Sequence, residues 1–524
     1  MTDLIVHRKN KDTAFESDTN DLSPLRASSG VKNQHPWDMA HLAVETAEFS
    51  SALESDEEVT FIEPDVVQRF DYVERQPQSA LESSEAAEAC APRGFDADWP
   101  HEDFGWHLTD GFTQLKTARE SVGDPGNGNR ILAGILDTGY DPAHSSLPAN
   151  LRLDLARNFS GSGSENDATD PASSWPLTNP GHGTATIAIL AGSQISSNDG
   201  SFSGVLGGAP NAEVVPIRIA DSVIHFKTSS MADGIRYAAD IGCQVLSISM
   251  GGVPTRDWAN AVNYAYERGM CIFAAAGNRI GVSPPSTLVY PARFNRVVGV
   301  CGFMSDKTPY FKDGFHRKMQ GCFGPESVMD NAMAAFTPNI PWAAMGCSEL
   351  VNPDGAGTSS ATPQCTAAAA LWLQKHRPNP SEKWKIVEAV RHALFSTADS
   401  SPSATKYYKG HGLLRAADAL AVDYDETALR KTPQDSVSFP WLRLLGALEA
   451  GDDPTTKEEM LETEALQVYF RSPKLQQIAD NADPVDDDLE TPTQKQLLKT
   501  MSESNSISNA LRAQLQKTLN RSQQ

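Results

Sequence analysis

Uninterrupted apolar runs of strand length recur through the middle of the chain, separated by stretches with the apolar spacing of helices. The runs lie at 131–136, 213–219, 244–250, 270–276 and 296–302, and the helical stretches at 185–190, 231–241 and 258–268. Strands that are apolar on both faces are typical of a parallel sheet covered by helices on both sides. The pattern predicts an α/β fold of three layers with a mostly parallel central sheet, and functional groups are expected at the carboxyl ends of its strands.

The two ends of the chain differ from this middle region. Residues 1–97 are rich in Ser, Asp and Glu and contain one strand-like run at 59–67, which predicts an acidic N-terminal region ending in a flexible linker. Residues 98–425 carry the alternating pattern and form the expected main domain. Residues 426–524 lack strand signals and predict a helical C-terminal extension, with helices at 441–450, 456–470 and 492–521.

Net charge and cysteine content narrow the classes of partner. The chain has 44 Lys and Arg against 67 Asp and Glu, a net charge of -23, so neither nucleic acid nor a membrane surface is expected as a partner. No apolar stretch has the length of a transmembrane helix or a signal peptide. The seven cysteines are odd in number and form no metal-type CxxC pair. Most are interpreted as small core residues of a protein in the reducing cytoplasm, without a metal site.

The first candidate for chemistry is Asp137, which ends the apolar run that begins at Ile131 and is followed by Thr138-Gly139. A carboxylate at the end of a buried strand is costly unless another group pairs with it. The alternative is an ordinary Asp at a strand-to-turn junction, and this segment alone does not separate the two.

The second candidate is His182, in Gly181-His182-Gly183-Thr184, directly before a helix rich in Ala and Ile. Flanking glycines let the backbone pack closely around an imidazole. A lone histidine near a helix start is more often a structural residue, and only the surrounding Gly-His-Gly-Thr pattern favours a functional role.

The third candidate is Ser359, in Gly357-Thr358-Ser359-Ser360-Ala361-Thr362-Pro363, before a helix expected at 364–374. Pro363 is expected in the first helical turn, where its missing N–H costs nothing. Ser359 would then lie at a helix N-terminus, where free amides and the helix dipole favour developing negative charge. For this segment alone, a serine that merely caps the helix is the stronger interpretation.

Together the three segments resemble the subtilase family (subtilisin-like serine proteases, peptidase S8), in which Asp, His and Ser follow one another in this order. Further segments that are similar to the family lie at 203–213, 246–251, 274–278, 290–292 and 410–414, so the resemblance spans about residues 100–422. It implies a subtilisin-like fold and a serine endopeptidase. Asp137, His182 and Ser359 would be the catalytic triad, and Asn278 would help to hold the oxyanion.

The resemblance also implies where a peptide substrate binds. The peptide would lie as an added strand along one segment of the enzyme, and backbone pairing of that kind gives affinity with little sequence preference. The substrate-binding residues implied in this way are Ser249, Met250, Gly251, Ala276 and Gly277.

Two residues are unusual for the first specificity pocket. Arg279 is expected at its rim, and Val289 lies where many relatives carry glycine at the pocket floor. These residues predict a shallow pocket with a positive rim that favours small or acidic residues before the cleaved bond. The alternative is that Arg279 points to solvent and Val289 only packs.

The flanking regions resemble the family less clearly. Residues 61–65 are similar to the last strand of the family's inhibitory propeptide, with cleavage expected between about Tyr72 and Trp99, and a disordered tail is the alternative. Many relatives use calcium for stability, but no ligand pattern here places a site, and no cofactor is expected to be required. The C-terminal helices are expected to cap the protease or to recruit a regulatory protein or a substrate.

The biological role follows from these expectations. The chain is expected to act on protein or peptide substrates as a regulated intracellular endopeptidase with one or a few targets. General protein turnover and an inactive, peptide-binding pseudoprotease are the alternatives.

Overall fold

The structure is a computed structural model that describes residues 4–8, 59–64, 67–69, 90–171, 179–223, 225–280, 287–312, 318–437, 456–479, 491–505 and 507–521. Its strands are β1 (Leu4–Arg8), β2 (Val59–Pro64), β3 (Val67–Arg69), β4 (Leu132–Asp137), β5 (Arg157–Asn158), β6 (Gln194–Ser196), β7 (Ser203–Val205), β8 (Glu213–Arg218), β9 (His225–Lys227), β10 (Val245–Ile248), β11 (Cys271–Ala275), β12 (Asn278–Ile280), β13 (Val297–Phe303), β14 (Met319–Gly321), β15 (Ala332–Phe336), β16 (Ile340–Ala343) and β17 (Val351–Gly355).

Its α-helices are α1 (Leu115–Val122), α2 (His182–Ala191), α3 (Thr228–Asp240), α4 (Arg256–Glu267), α5 (Thr358–His376), α6 (Trp384–Thr397), α7 (Lys406–Lys409), α8 (Ala416–Ala419), α9 (Thr456–Arg471), α10 (Pro473–Ala479), α11 (Thr491–Ser502) and α12 (Asn509–Arg521). The helix predicted at 441–450 lies outside the described residues.

Seven strands form one sheet in the order β15-β13-β11-β10-β4-β8-β5, and every neighbouring pair is parallel. The predicted α/β fold with a parallel central sheet is therefore confirmed. All five apolar runs belong to this sheet, each within two residues of its predicted bounds. The short edge strands β5 and β15 were not predicted.

Helices cover both faces of the sheet. Consecutive residues of each strand point to opposite sides, so a strand that is apolar throughout has an apolar surface to bury on each face. Ile135 joins the core formed with α1, α2, α5 and α6. Its neighbour Leu136 joins the core formed with α3 and α4. Gly134 makes room for the side chain of Leu246 on the neighbouring strand, since a Cβ there would lie 2.6 Å from a methyl carbon of Leu246.

The three central strands end at the same edge of the sheet. Asp137 is the last residue of β4, Ser249 follows β10 directly, and Ala276 follows β11. Because these strands are neighbours and parallel, their carboxyl ends bring the three residues to one place. This edge carries the candidate site.

The C-terminal helices share a core with the α/β domain. Every residue of α9 from Leu461 to Phe470 is buried, and the cluster around it includes Trp258, Tyr290 and Phe294 of the main domain. The single helix predicted at 492–521 is wrong, because the chain forms α11 and α12 there. Ser508 starts the second helix by accepting a hydrogen bond from Leu511 N at 2.9 Å.

A disulfide joins Cys90 to Cys347, with Cα atoms 5.5 Å apart. These two residues are therefore not reduced core cysteines. The segment after Cys90 lies on the main domain, where Arg93 pairs with Asp354 at 2.6 Å and Asp96 N donates to the side chain of Asn339 at 2.7 Å. The other five cysteines are free and buried, as predicted for most of the seven.

Candidate active site

Asp137 and His182 meet at the carboxyl edge of the sheet. His182 is the first residue of α2, and its Nδ1 lies 2.7 Å from Asp137 Oδ1. The carboxylate also accepts from Thr138 N at 2.7 Å and from Thr186 Oγ1 at 3.1 Å, so its burial at 1 % exposure is compensated. Because a carboxylate only accepts, the neutral imidazole carries its proton on Nδ1 and leaves Nε2 free to act as a base.

Thr186 belongs to no candidate named from the sequence. It lies four residues after His182 on α2, so both side chains share one face of the helix. That spacing is the signal by which it could have been found.

The glycines beside His182 permit its close approach to the sheet. A Cβ on Gly183 would lie only 2.0 Å from Gly139 O and 3.1 Å from Asp137 Cβ. Gly181 has φ +79°, and a Cβ there would lie 2.5 Å from Met345 Cβ. Larger residues at either position would push the histidine away from its carboxylate.

Ser359 is the second residue of α5, so its backbone N–H is among the free amides at the helix N-terminus. Pro363 does not lie in the first turn as expected, since α5 begins at Thr358 and the proline falls in the second turn. Its missing N–H leaves the carbonyl of Ser359 without a helical donor. Ser249 Oγ donates to that carbonyl at 3.0 Å, which satisfies it.

The side chain of Ser359 also points to Ser249, because its Oγ donates to Ser249 O at 3.0 Å. Helices α2 and α5 pack against each other, but no hydrogen bond joins His182 to Ser359 among those of the described residues. In ligand-free enzymes such contacts often form only when substrate binds. A rotation about χ1 of Ser359 releases its hydroxyl from Ser249.

Asn278 contacts Thr358, the residue directly before Ser359. Its Oδ1 accepts from Thr358 N at 2.9 Å and from Thr358 Oγ1 at 3.3 Å. The same threonine exchanges hydrogen bonds with Gly277, accepting from its N–H and donating to its carbonyl. With Oδ1 occupied in this way, the amide plane is fixed and Nδ2 is the end suited to donate to an oxyanion. Thr358 was not singled out from the sequence, although it adjoins Ser359.

The residues expected to bind substrate come together as a narrow site. Gly252 N donates to Tyr290 O at 2.7 Å and Tyr290 N to Gly252 O at 3.1 Å, so the two segments form one short ladder. Gly251 and Gly277 form the two walls of this site, and Val289 fills the space between them. A Cβ on Gly251 would lie 2.5 Å from one Val289 methyl carbon, and a Cβ on Gly277 2.9 Å from the other.

Three further expected residues are buried near this ladder. Met250 is 3 % exposed and Ala276 is fully buried. Arg279 is 8 % exposed, and its guanidinium lies 5.2 Å from the ring centre of Phe311. It therefore does not extend into solvent, which was the alternative considered for it, and its part in the pocket stays a prediction.

Trp342 is a site neighbour that no sequence signal identified. Its ring lies edge-on to the ring of His182, with the two centres 5.3 Å apart. It also packs over Gly355, where a Cβ would lie 2.9 Å from the indole. The position depends on the pairing of β16 with β17, which sets Trp342 opposite Asn352.

The described residues bear on metal binding and on membrane insertion. Within the described ranges there is no group of three or more His, Cys, Asp or Glu residues arranged to hold a metal ion. Calcium ligands also include backbone carbonyls, so structural calcium stays a prediction. None of the helices in the described part of the chain is both long and apolar enough to cross a bilayer.

Comparison with known proteins places this site in a family context. A family model described as the subtilase family matches residues 128–417, which include all three candidate catalytic residues. Subtilisin DY of Bacillus licheniformis is 29% identical over 297 residues, 56% of this chain and 91% of that protein. Thermitase of Thermoactinomyces vulgaris is 30% identical over 305 residues, 57% and 91% respectively. Among solved structures, a protease of Pseudoalteromonas arctica shares 25% identity over 60% of this chain and 96% of its own, with a TM-score of 0.45.

Proposed function

The chain belongs to the subtilase family of serine proteases, and from that premise we propose that Asp137, His182 and Ser359 hydrolyse peptide bonds as a catalytic triad. The observation that carries this proposal is the 2.7 Å hydrogen bond from His182 to the buried Asp137. It fixes the imidazole tautomer that a serine nucleophile requires. Ser359 supplies that nucleophile from the N-terminus of α5.

The reaction proceeds in two halves. His182 Nε2 takes the proton of Ser359 Oγ as the oxygen attacks the peptide carbonyl, and then gives it to the leaving amine. A water molecule, activated by the same imidazole, then hydrolyses the acyl-enzyme. Asp137 stabilises the positive charge on the ring in both halves. The oxyanion is held by Asn278 Nδ2 and by Ser359 N–H, which gains from the dipole of α5.

The N-terminal region acts in this proposal as an inhibitory propeptide. Glu63 of β2 is 1 % exposed, and its carboxylate accepts from Arg256 N at 3.0 Å and Asp257 N at 2.6 Å. It thereby satisfies free amides at the start of α4. Beyond it, β3 pairs antiparallel with β9. An N-terminal strand that occupies the enzyme in this way favours the propeptide over a disordered tail.

Processing would leave the segment after Cys90 in place. That segment is held by the disulfide to Cys347 and by the contacts of Arg93 and Asp96. We therefore expect the cleaved bond between Arg69 and Cys90, which overlaps the early part of the zone expected between about Tyr72 and Trp99.

Restricted specificity fits the pocket better than general turnover does. Val289 touches both glycine walls and narrows the pocket to small side chains. The presence of a complete triad and of Asn278 counts against an inactive peptide-binding protein. A cytoplasmic location stays a prediction, and the Cys90–Cys347 disulfide counts against it, since disulfides persist mainly in oxidising compartments.

One experiment tests both the triad and the processing. The full-length protein is incubated, its new N-terminus is mapped by mass spectrometry, and it is treated with a fluorophosphonate probe. The wild type is expected to bind the probe and to cut itself between Arg69 and Cys90. Ser359→Ala is expected to do neither, because the nucleophilic oxygen is gone.

Ser360→Ala is the matched control. Its hydroxyl bonds Thr337 Oγ1 and Gly357 O, each at 2.9 Å, and so serves the structure alone. This variant is expected to keep both probe binding and self-cleavage. Probe binding that survives in Ser359→Ala would refute the assignment of the nucleophile.

A further inference from the structure

Residues that adjoin the walls of the specificity pocket contact the C-terminal helices. The wall at Gly251 runs on through Gly252 to Pro254, and the floor residue Val289 is followed by Tyr290. The two continuations are joined to each other by the Gly252–Tyr290 ladder. A displacement of either one is therefore transmitted to the glycine wall and to the floor together.

Helix α9 contacts both Pro254 and Tyr290. Gln467 Nε2 donates to Pro254 O at 3.0 Å in a buried contact. The ring of Phe470 lies edge-on to that of Tyr290, with centres 5.5 Å apart. Phe470 also lies 5.4 Å from the guanidinium of Arg293, on the turn that follows the pocket floor. Two side chains one helical turn apart thus fix both sides of the pocket ladder.

The helix is itself firmly placed. Gln467 is 2 % and Phe470 6 % exposed, and α9 packs against β2, α10, α11 and α12. A buried amide that loses its hydrogen-bond partner is destabilising, so Gln467 resists movement away from Pro254. The part of the chain shared with the family ends at residue 417. The support that α9 gives to the pocket is therefore an addition outside the matched region.

We propose that Gln467 and Phe470 are positioning residues for the first specificity pocket, so that the C-terminal helices set which side chain is accepted before the cleaved bond. The proposal rests on the function proposed above. Neither residue touches the reacting atoms, and both act through Pro254 and Tyr290. The C-terminal extension is then part of the specificity apparatus and not only a cap.

The test measures kcat and KM separately for peptides that differ only in the residue before the cleaved bond, with Ala, Glu, Leu and Phe in that place. Gln467→Ala and Phe470→Ala, as full-length chains, are compared with the wild type after active-site titration with a fluorophosphonate. Displacing binding groups by 1 Å can cost on the order of a hundredfold. We expect the ratio of kcat/KM for Phe to that for Ala to change by about tenfold, mainly through KM, while the titrated fraction of active sites stays constant.

Leu515→Ala is the matched control, because Leu515 is fully buried on α12 within the same helical region. It is expected to lower stability while Gln467 and Phe470 keep their own side chains, so its selectivity is expected to equal that of the wild type. Phe470→Leu keeps apolar volume against Tyr290 and is expected to restore most of the wild-type ratio.

The outcomes separate cleanly. Unchanged selectivity in both Gln467→Ala and Phe470→Ala, with only a lower melting temperature, would overturn the positioning role. An equal change of selectivity in Leu515→Ala would do the same. A wild type that neither binds the probe nor cleaves any peptide would instead refute the proposed function.

Discussion

Gly357 shows how tightly the site is built at the scale of one residue. Its φ of +85° is disfavoured for any side chain. A Cβ there would also lie 3.0 Å from Asn278 Nδ2 and 3.1 Å from the terminal carbon of Met319. The residue is small because the amide that would hold the oxyanion occupies the space beside it.

Gly357→Ala is therefore expected to displace Asn278 and to lower kcat. Loss of one oxyanion donor typically costs about a hundredfold to a thousandfold, and the reduction in kcat should approach the lower end. KM should change little, because the ground-state carbonyl gains less from that donor than the transition state does. Steady-state kinetics on one peptide decide the matter, with Gly346→Ala as the control in open space. A Gly357→Ala enzyme with wild-type kcat would contradict the placement of Asn278.

No single segment predicted a functional residue by itself, and Asp137, His182 and Ser359 became candidates only because their three segments occur together in one order. The structure brings Asp137 and His182 into contact. Trp342 was not predictable, because it reaches His182 only through the register of β16 on β17. Pro363 was placed one turn too early, since the helix that contains it begins at Thr358 and leaves the proline to free a carbonyl for Ser249.

At the scale of elements, α9 carries a buried carboxyl group. Glu464 accepts from the backbone N–H and the hydroxyl of Ser508, which joins α9 to the start of α12. Burial nevertheless raises the pKa of Glu464 to about 7. In the unfolded chain its pKa is near the ordinary value of 4.5.

The pH dependence of stability follows from this difference. Between about pH 4.5 and pH 7 the folded protein binds more protons at Glu464 than the unfolded chain does, so the free energy of unfolding falls as pH rises through this window. The stabilisation is complete below pH 4.5 and lost above pH 7.

Glu464→Gln is expected to remove this slope and to raise the melting temperature at pH 8 relative to the wild type. Thermal unfolding at pH 5 and pH 8 measures it, with the exposed Glu503→Gln as a matched control. Parallel pH slopes in Glu464→Gln and the wild type would show that this carboxyl does not titrate differently on folding.

Helices and strands were predictable from the sequence where one spacing of apolar residues continues without interruption. The five central strands are apolar on both faces and were found within two residues. The C-terminal segment 492–521 was predicted as one helix because apolar residues continue on both sides of Glu503–Ser508, although the Ser and Asn residues of that stretch are typical of turns and helix caps. The break between α11 and α12 depends on Ser508 and on Arg512, which donates to the carbonyls of Ser502 and Ser504.

At the scale of the whole molecule, the Cys90–Cys347 disulfide joins parts of the chain 257 residues apart. Cys347 lies in the turn between β16 and β17, the hairpin that carries Trp342. The sequence could not predict the pair, because neither cysteine has a motif and their proximity depends on the complete fold. The parallel sheet, in contrast, was predictable as a whole, since each of its strands carries its own signal.

Removal of this link is expected to lower stability. A disulfide of long loop length typically contributes about 2–4 kcal/mol, so Cys90→Ser with Cys347→Ser should unfold at a lower temperature than the oxidised wild type. Calorimetry with and without reductant measures the difference. Reductant should shift the wild type and leave the double variant unchanged, and an unshifted wild type would argue against the bond.

The ribosome makes α9 after the residues of the catalytic triad and the specificity pocket. Ser359 leaves the ribosome before α9 does, and domains generally fold as they emerge. A nascent chain can therefore close Asp137 onto His182 while Tyr290 still lacks the ring of Phe470 behind it. Translation itself then delays full selectivity until the last helices have been made, so a ribosome that stalls after α8 and before α9 would expose a protease with a complete triad and an unsupported pocket.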